Sequence, residues 1–125
     1  MGQTIHVIND DPKVLHNVHF MPRLNPKLNF GEPGEQAAGM IPSRSVVFQK
    51  AEMIPVKCDV HSWMHAVVAV IANPYFSVTG EDGSFSITNV PAGTYVVEAW
   101  HEKYGSQRKI ISLKPGDKQV VSFQY

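Results

Sequence analysis

Seven residues constrain this chain more than any others: Cys58-Asp59-Val60-His61-Ser62-Trp63-Met64. They place a cysteine, a histidine and a methionine at the spacing Cys-x-x-His-x-x-Met, between an apolar run that ends in Lys57 and another that begins at Ala66. A thiolate, an imidazole and a thioether so close together form a soft-metal ligand set, and sulfur ligands select copper or zinc rather than magnesium or calcium. A trigonal plane of two imidazoles and one thiolate, with a weak axial methionine, is the geometry of blue-copper electron-transfer sites. That geometry needs a second histidine. Leu15-His16-Asn17-Val18-His19-Phe20 offers one far upstream in a strand-like setting.

Side-chain alternation in extended chain sorts these candidates. From Val14 to Met21 it puts His16, Val18 and Phe20 on one face and Asn17, His19 and Met21 on the other. His16 shares the apolar face and is the better ligand; His19 reads as a solvated histidine or one that supports the site from outside. Ile54, Val56 and Cys58 share one parity, so the thiol is aimed inward at the end of a strand.

His16-Asn17-Val18-His19-Phe20, followed in order by Cys58-x-x-His61-x-x-Met64, resembles the cupredoxins, the blue-copper family of amicyanin- and plastocyanin-like domains. The resemblance covers roughly residues 3 to 72. It implies one copper ion per chain, with His16, Cys58 and His61 as equatorial ligands and Met64 as the axial one. It also implies that Asn17 ties the two ligand-bearing segments together by hydrogen bonds, that a redox protein docks near His61, and that the protein is exported to a periplasm. Residues 73 to 125 resemble the carboxypeptidase-regulatory and transthyretin-like β-sandwich repeats, through Val78-Thr79-Gly80-Glu81-Asp82-Gly83-Ser84-Phe85 and Val90-Pro91-Ala92-Gly93-Thr94-Tyr95. The expected fold is therefore all-β: a Greek-key cupredoxin-like β-sandwich in residues 1–72, completed or extended by transthyretin-like antiparallel strands in 73–125, the two packed as one composite unit with a core shared by Val67, Val70, Tyr95, Val97 and Phe123.

The rest of the chain fits strands and turns. Gln3 to Ile8 favours extended structure and ends at the turn chemistry of Asn9-Asp10-Asp11-Pro12. Residues 22–43 are punctuated by Pro22, Pro26, Gly31, Pro33, Gly34, Gly39 and Pro42, so no stable regular element is expected there. This stretch reads as a long excursion beside the metal site, tacked down by Leu24, Leu28 and Phe30. Arg44 to Gln49 returns to strand with Val46 and Phe48 inward. Val67 to Ile71 is continuously apolar and β-branched, as for a strand covered on both faces. Beyond Asn73-Pro74, turns at Pro91-Ala92-Gly93 and Lys114-Pro115-Gly116-Asp117 space out four or five expected antiparallel strands. Cupredoxins have two further strands before the segment that resembles Gln3–Ile8. The transthyretin-like strands, a second subunit in a homo-oligomer, or a longer parent chain would each supply them.

Charge and composition exclude several partners. Eleven basic and eleven acidic side chains cancel, so no single-sign field invites nucleic acid. No apolar run approaches the roughly 20 residues of a membrane span. Met1-Gly2-Gln3-Thr4 lacks the charged and apolar regions of a signal peptide. Catalysis is not expected: copper oxidases need further histidine clusters, and Cys58 with His61 is better explained as a ligand pair than as a nucleophile and base. Glu98, His101 and Glu102 suggest a second metal cluster, but strand alternation separates the carboxylates from the imidazole. The competing function is a binding or structural β-sandwich in which copper or zinc only staples a loop; zinc takes Cys and His readily but gains little from a thioether.

Overall fold

The computed structural model describes residues 1–11, 13–34 and 43–125. Among them every regular element is a strand and every pairing is antiparallel, so the fold is all-β, as expected. The chain divides into two compact units, Met1–Pro74 and Tyr75–Tyr125.

The first unit has six strands: β1 (Thr4–Ile8), β2 (His16–Phe20), β3 (Leu28–Glu32), β4 (Ser43–Val47), β5 (Glu52–Lys57) and β6 (His65–Val70). β1 and β4 form a ribbon, and the other four form a sheet in the order β3-β2-β5-β6. Alternation buries one face of each layer. Phe20, Ile54 and Val70 from the sheet meet Val46 and Phe48 from the ribbon side, with Ile5, Val7, Val18, Leu28, Phe30, Val56 and Val68 packed around them. Phe20 sits edge-on to Phe48, ring centroids 5.2 Å apart, a favoured arrangement for aromatic quadrupoles. The two layers thus make a small sandwich. Because β2 pairs antiparallel with β5 at His19↔Lys57 and Phe20↔Val56, the first residues of β2 lie alongside the segment that follows β5, and both carry candidate ligands.

Two expectations for this unit change. Residues 22–43 were expected to hold no regular element, yet β3 pairs with β2 along its whole length, from His16↔Glu32 to Phe20↔Leu28. Pairing with an existing strand and the burial of Leu28 and Phe30 on the core outweigh local punctuation. Leu24 does not tack the stretch down, since it is exposed; instead the Glu52 carboxylate accepts hydrogen bonds from the backbone N–H groups of Arg23, Leu24 and Asn25. Residues 35–42 of the expected excursion lie outside the described residues, as does Pro12 of the first turn. The second change concerns β6, which is half-covered rather than buried on both faces. Its one neighbour among the described strands is β5; Val70 is buried while Ala66 and Ala69 are exposed.

The second unit holds a long hairpin, β7 (Gly93–His101) and β8 (Gly105–Leu113), in register from Gly93↔Leu113 to His101↔Gly105. Half-buried Tyr95, Val97 and Ala99 alternate with exposed Val96, Glu98 and Trp100, as expected. Four or five strands were expected here and two are found among the described residues. The flanking segments pack through side chains instead, as in the contact of Phe85 with Phe123. The turn expected at Lys114–Asp117 is present: Asp117 N donates to Lys114 O at 3.1 Å, and Gly116 takes φ +80°. Pro at the second turn position and a left-handed glycine at the third make a type II turn.

Candidate metal centre

β5 ends at Lys57 and delivers Cys58 to the rim of the sandwich, where the thiol is buried at 5 % exposure. The loop that follows closes on itself, because Cys58 N donates to Met64 O and Met64 N donates to His61 O, both at 3.0 Å. That closure turns the His61 ring back toward the sulfur. β2 supplies the other imidazole from its first residue, His16, which is buried with Phe20 at the far end of the same strand. Cys58 Sγ lies 3.9 Å from His16 Nδ1 and 3.8 Å from His61 Nδ1, and the two nitrogens are 3.0 Å apart. A point equidistant from these three atoms lies about 2.1 Å from each, which falls within the span of metal–nitrogen and metal–sulfur bonds, roughly 2.0–2.3 Å. Three of the expected ligands therefore fit a metal ion, and they form the one such His/Cys/Asp/Glu cluster among the described residues. Met64 belongs to the same loop and is 40 % exposed.

The electrostatics favour a ligating thiolate. Burial pushes the Cys58 thiol up, but the backbone N–H of Asn17, the His16 ring, and the N–H and ring of His61 together outweigh it and lower its pKa to about 6. His61 N–H donates to the sulfur at 3.4 Å. His16 is shifted upward, first by its hydrogen bond to Cys58 and then by one to Asp11, against the effect of burial. Negative charge on sulfur and positive charge on the ring stabilise each other in the metal-free chain, and a cation would take over the ring proton's role.

A hydrogen-bonded frame outside the ligands holds both segments. Asn17, next to His16, accepts from Asp59 N at 2.6 Å and donates to Asp59 Oδ2 at 2.8 Å, so it ties β2 to the Cys58 loop. Asn29 Nδ2 donates to the same carboxylate, Lys57 Nζ pairs with it at 2.8 Å, and His19 Nδ1 lies 3.0 Å away. The Asp59 carboxyl is held well below the usual carboxylate range by Lys57 first, then Asn17, with burial opposing and Asn29 and His19 assisting. His19 thus faces away from the cluster and supports it from outside, as alternation implies.

Sequence reasoning missed Asp11 and Asn9, reading them only as turn residues. His16 Nε2 donates to Asp11 Oδ2 at 2.9 Å, on the side of the ring opposite the sulfur. The available signal was a carboxylate five residues before a candidate ligand, a pattern too common to single out. The other tempting cluster dissolves: Glu98 pairs with Arg108 and accepts from Ser106, while His101 accepts from Lys103 N and its ring packs on Tyr104 and Tyr125.

Trp63, 73 % exposed, packs against the His61 ring with centroids 5.3 Å apart, and Val60 and Leu15, next in sequence to His61 and His16, are exposed as well. No helix among the described residues is long and apolar enough to cross a membrane.

Residues 64–125 match the family model of the carboxypeptidase regulatory-like domain. This agrees with the resemblance noted for residues 73–125 but begins earlier, so it takes in β6. The cluster of His16, Cys58 and His61 lies upstream of the matched stretch, and the cupredoxin resemblance rests on its two motifs alone. Comparison with curated proteins and with solved structures returns no match.

Proposed function

We propose that this chain is a small copper protein that carries one electron at a time. The observation that supports this most is the triangle of Cys58 Sγ, His16 Nδ1 and His61 Nδ1, spaced for one metal ion by two strands and a loop closed by backbone hydrogen bonds. His16, Cys58 and His61 would hold the copper, with Met64 as a further, weaker ligand, and the ion would supply one-electron chemistry. The frame of Asn17, Asp59 and Lys57 keeps the ligands from rearranging between the two charge states, which lowers the cost of electron transfer. Neither catalysis nor a substrate pocket enters this reading.

His61 and Trp63 would form the port to a redox partner. The ring of His61 spans from the sulfur to the surface, and the exposed Trp63, Val60 and Leu15 around it suit an apolar contact. Export to a periplasm belongs to the same reading.

A second reading is a binding or structural module whose metal, copper or zinc, only staples the Cys58 loop; the regulatory-like match over residues 64–125 favours it. One experiment separates the two. Cu(II) is added to the metal-free chain and the visible spectrum recorded. An intense thiolate-to-copper band that bleaches and returns on reduction and reoxidation supports electron transfer, whereas a colourless chain that binds zinc more tightly than copper supports the staple.

A further inference from the structure

We propose that Asp11 is a positioning residue of the metal centre: its carboxylate, carried on a backbone that Asn9 anchors, fixes which nitrogen of His16 faces Cys58 and His61 and puts negative charge behind that ring. This rests on reading the cluster as a metal site. A neutral imidazole carries its proton on one nitrogen and its lone pair on the other. Only the lone pair can bind a metal, so the hydrogen bond made by the remote nitrogen decides whether the ring is ready. His16 Nε2 donates to Asp11 Oδ2 at 2.9 Å, which in the neutral ring leaves the Nδ1 lone pair directed at the cluster.

The backbone that carries the carboxylate is anchored. Asn9 is buried at 6 % exposure, and every polar atom of its amide is used. Its Nδ2 donates to Val14 O at 2.7 Å and to Glu32 O at 2.8 Å, and its Oδ1 accepts from Asp11 N at 3.0 Å. Asn9 therefore clamps the end of β1 to the end of β3 and sets the backbone of Asp11 between them. The arrangement is asymmetric. Among the described residues no carboxylate is hydrogen-bonded to His61, whose ring instead meets Trp63. One imidazole is fixed and charged from behind; the other is left with an apolar, outward edge.

Charge behind a ligand favours the more highly charged metal. Asp11 should thus strengthen Cu(II) and other divalent ions relative to Cu(I), by an amount that exposure of its side chain, 61 %, makes salt-dependent.

Asp11→Ala and Asp11→Asn test this by two independent readouts. On the metal-free chain, ring-nitrogen NMR at a pH where His16 is neutral should show the Nε2–H tautomer in the unaltered protein and a mixture in Asp11→Ala. In metal titrations, Asp11→Asn should bind Co(II), Zn(II) and Cu(II) about 10–100-fold more weakly and, with copper bound, show a higher reduction potential, the difference shrinking in high salt. An unchanged tautomer in Asp11→Ala together with unchanged divalent affinity in Asp11→Asn would overturn the proposal and leave Asp11 a surface ion pair. A failure of the copper reading shows up separately, as the absence of a thiolate-to-copper band in the unaltered chain. The tautomer measurement uses no metal and decides the role of Asp11 in either case.

Discussion

His16 Nδ1 and His61 Nδ1 lie 3.0 Å apart although 45 residues separate them in the chain. Both nitrogens also lie within 4 Å of the sulfur of Cys58. The contact exists because β2 pairs with β5 and because the Cys58–Met64 loop is closed by backbone hydrogen bonds.

The first prediction concerns colour. One Cu(II) per chain should give an intense band near the red end of the visible spectrum, since Cys58 supplies a thiolate. Cys58→Ser should abolish the band and His19→Ala should leave it largely intact, as His19 faces Asp59. A Cys58→Ser protein that keeps the band would refute the ligand assignment.

The second separates Met64 from His16. Met64→Leu should retain copper and change only its potential and spectrum, the signature of a weak axial ligand. His16→Ala should open an equatorial position that added imidazole can fill. Loss of copper from Met64→Leu but not from His16→Ala would reverse these roles.

The third follows from acid and base strength in the metal-free chain. The Cys58 pKa is lowered from 9.0 to about 6, so the stability it contributes is complete above about pH 9, shrinks as pH falls, and is gone below pH 6. His16 is raised from 6.5, so its contribution is complete below that value and is lost as pH rises through the folded-state pKa. Urea unfolding of the chain and of Cys58→Ser across pH 5–9 should therefore show a stability difference that shrinks toward the acid end. A difference that grows toward pH 5 would contradict the lowered thiol.

A fourth tests the sandwich core. Ile54 is fully buried at 0 % exposure, and Ile54→Ala should destabilise by about 2–5 kcal/mol through lost transfer energy and the cavity left behind. Exposed Val96→Ala in the second unit should change stability by less than about 0.5 kcal/mol. Chemical denaturation of both variants measures the contrast.

The fifth addresses whether the two units are one cooperative body. The regulatory-like match includes β6, a strand of the first unit's sheet, and the composite reading expects one unfolding transition for the whole chain. Fragment 1–72 should then be insoluble or unfolded even with copper. If that fragment folds as a monomer and turns blue, the units are independent.

The types of the candidate ligands, their order and their facing are legible in the chain alone. Cys-x-x-His-x-x-Met is local, and period-two alternation decides which of His16 and His19 points inward without any knowledge of neighbours. The same alternation identified Phe20, Val46, Phe48 and Ile54 as inward-facing, because strand parity is a property of the backbone alone. Tertiary structure decided what depends on partners. β3 forms within a Pro- and Gly-rich stretch because β2 offers hydrogen bonds and the core accepts Leu28 and Phe30. Among the described strands β6 pairs with β5 alone, because a strand's neighbours are set by chain topology, which a run of valines does not encode. The strand count in residues 75–125 falls to two because period and turns alone do not form a ladder. Asp11 was invisible for the same reason: the role proposed for it lies in a 2.9 Å contact with the His16 ring, made from a backbone that Asn9 ties to Val14 and Glu32, a relationship between segments rather than a property of either one.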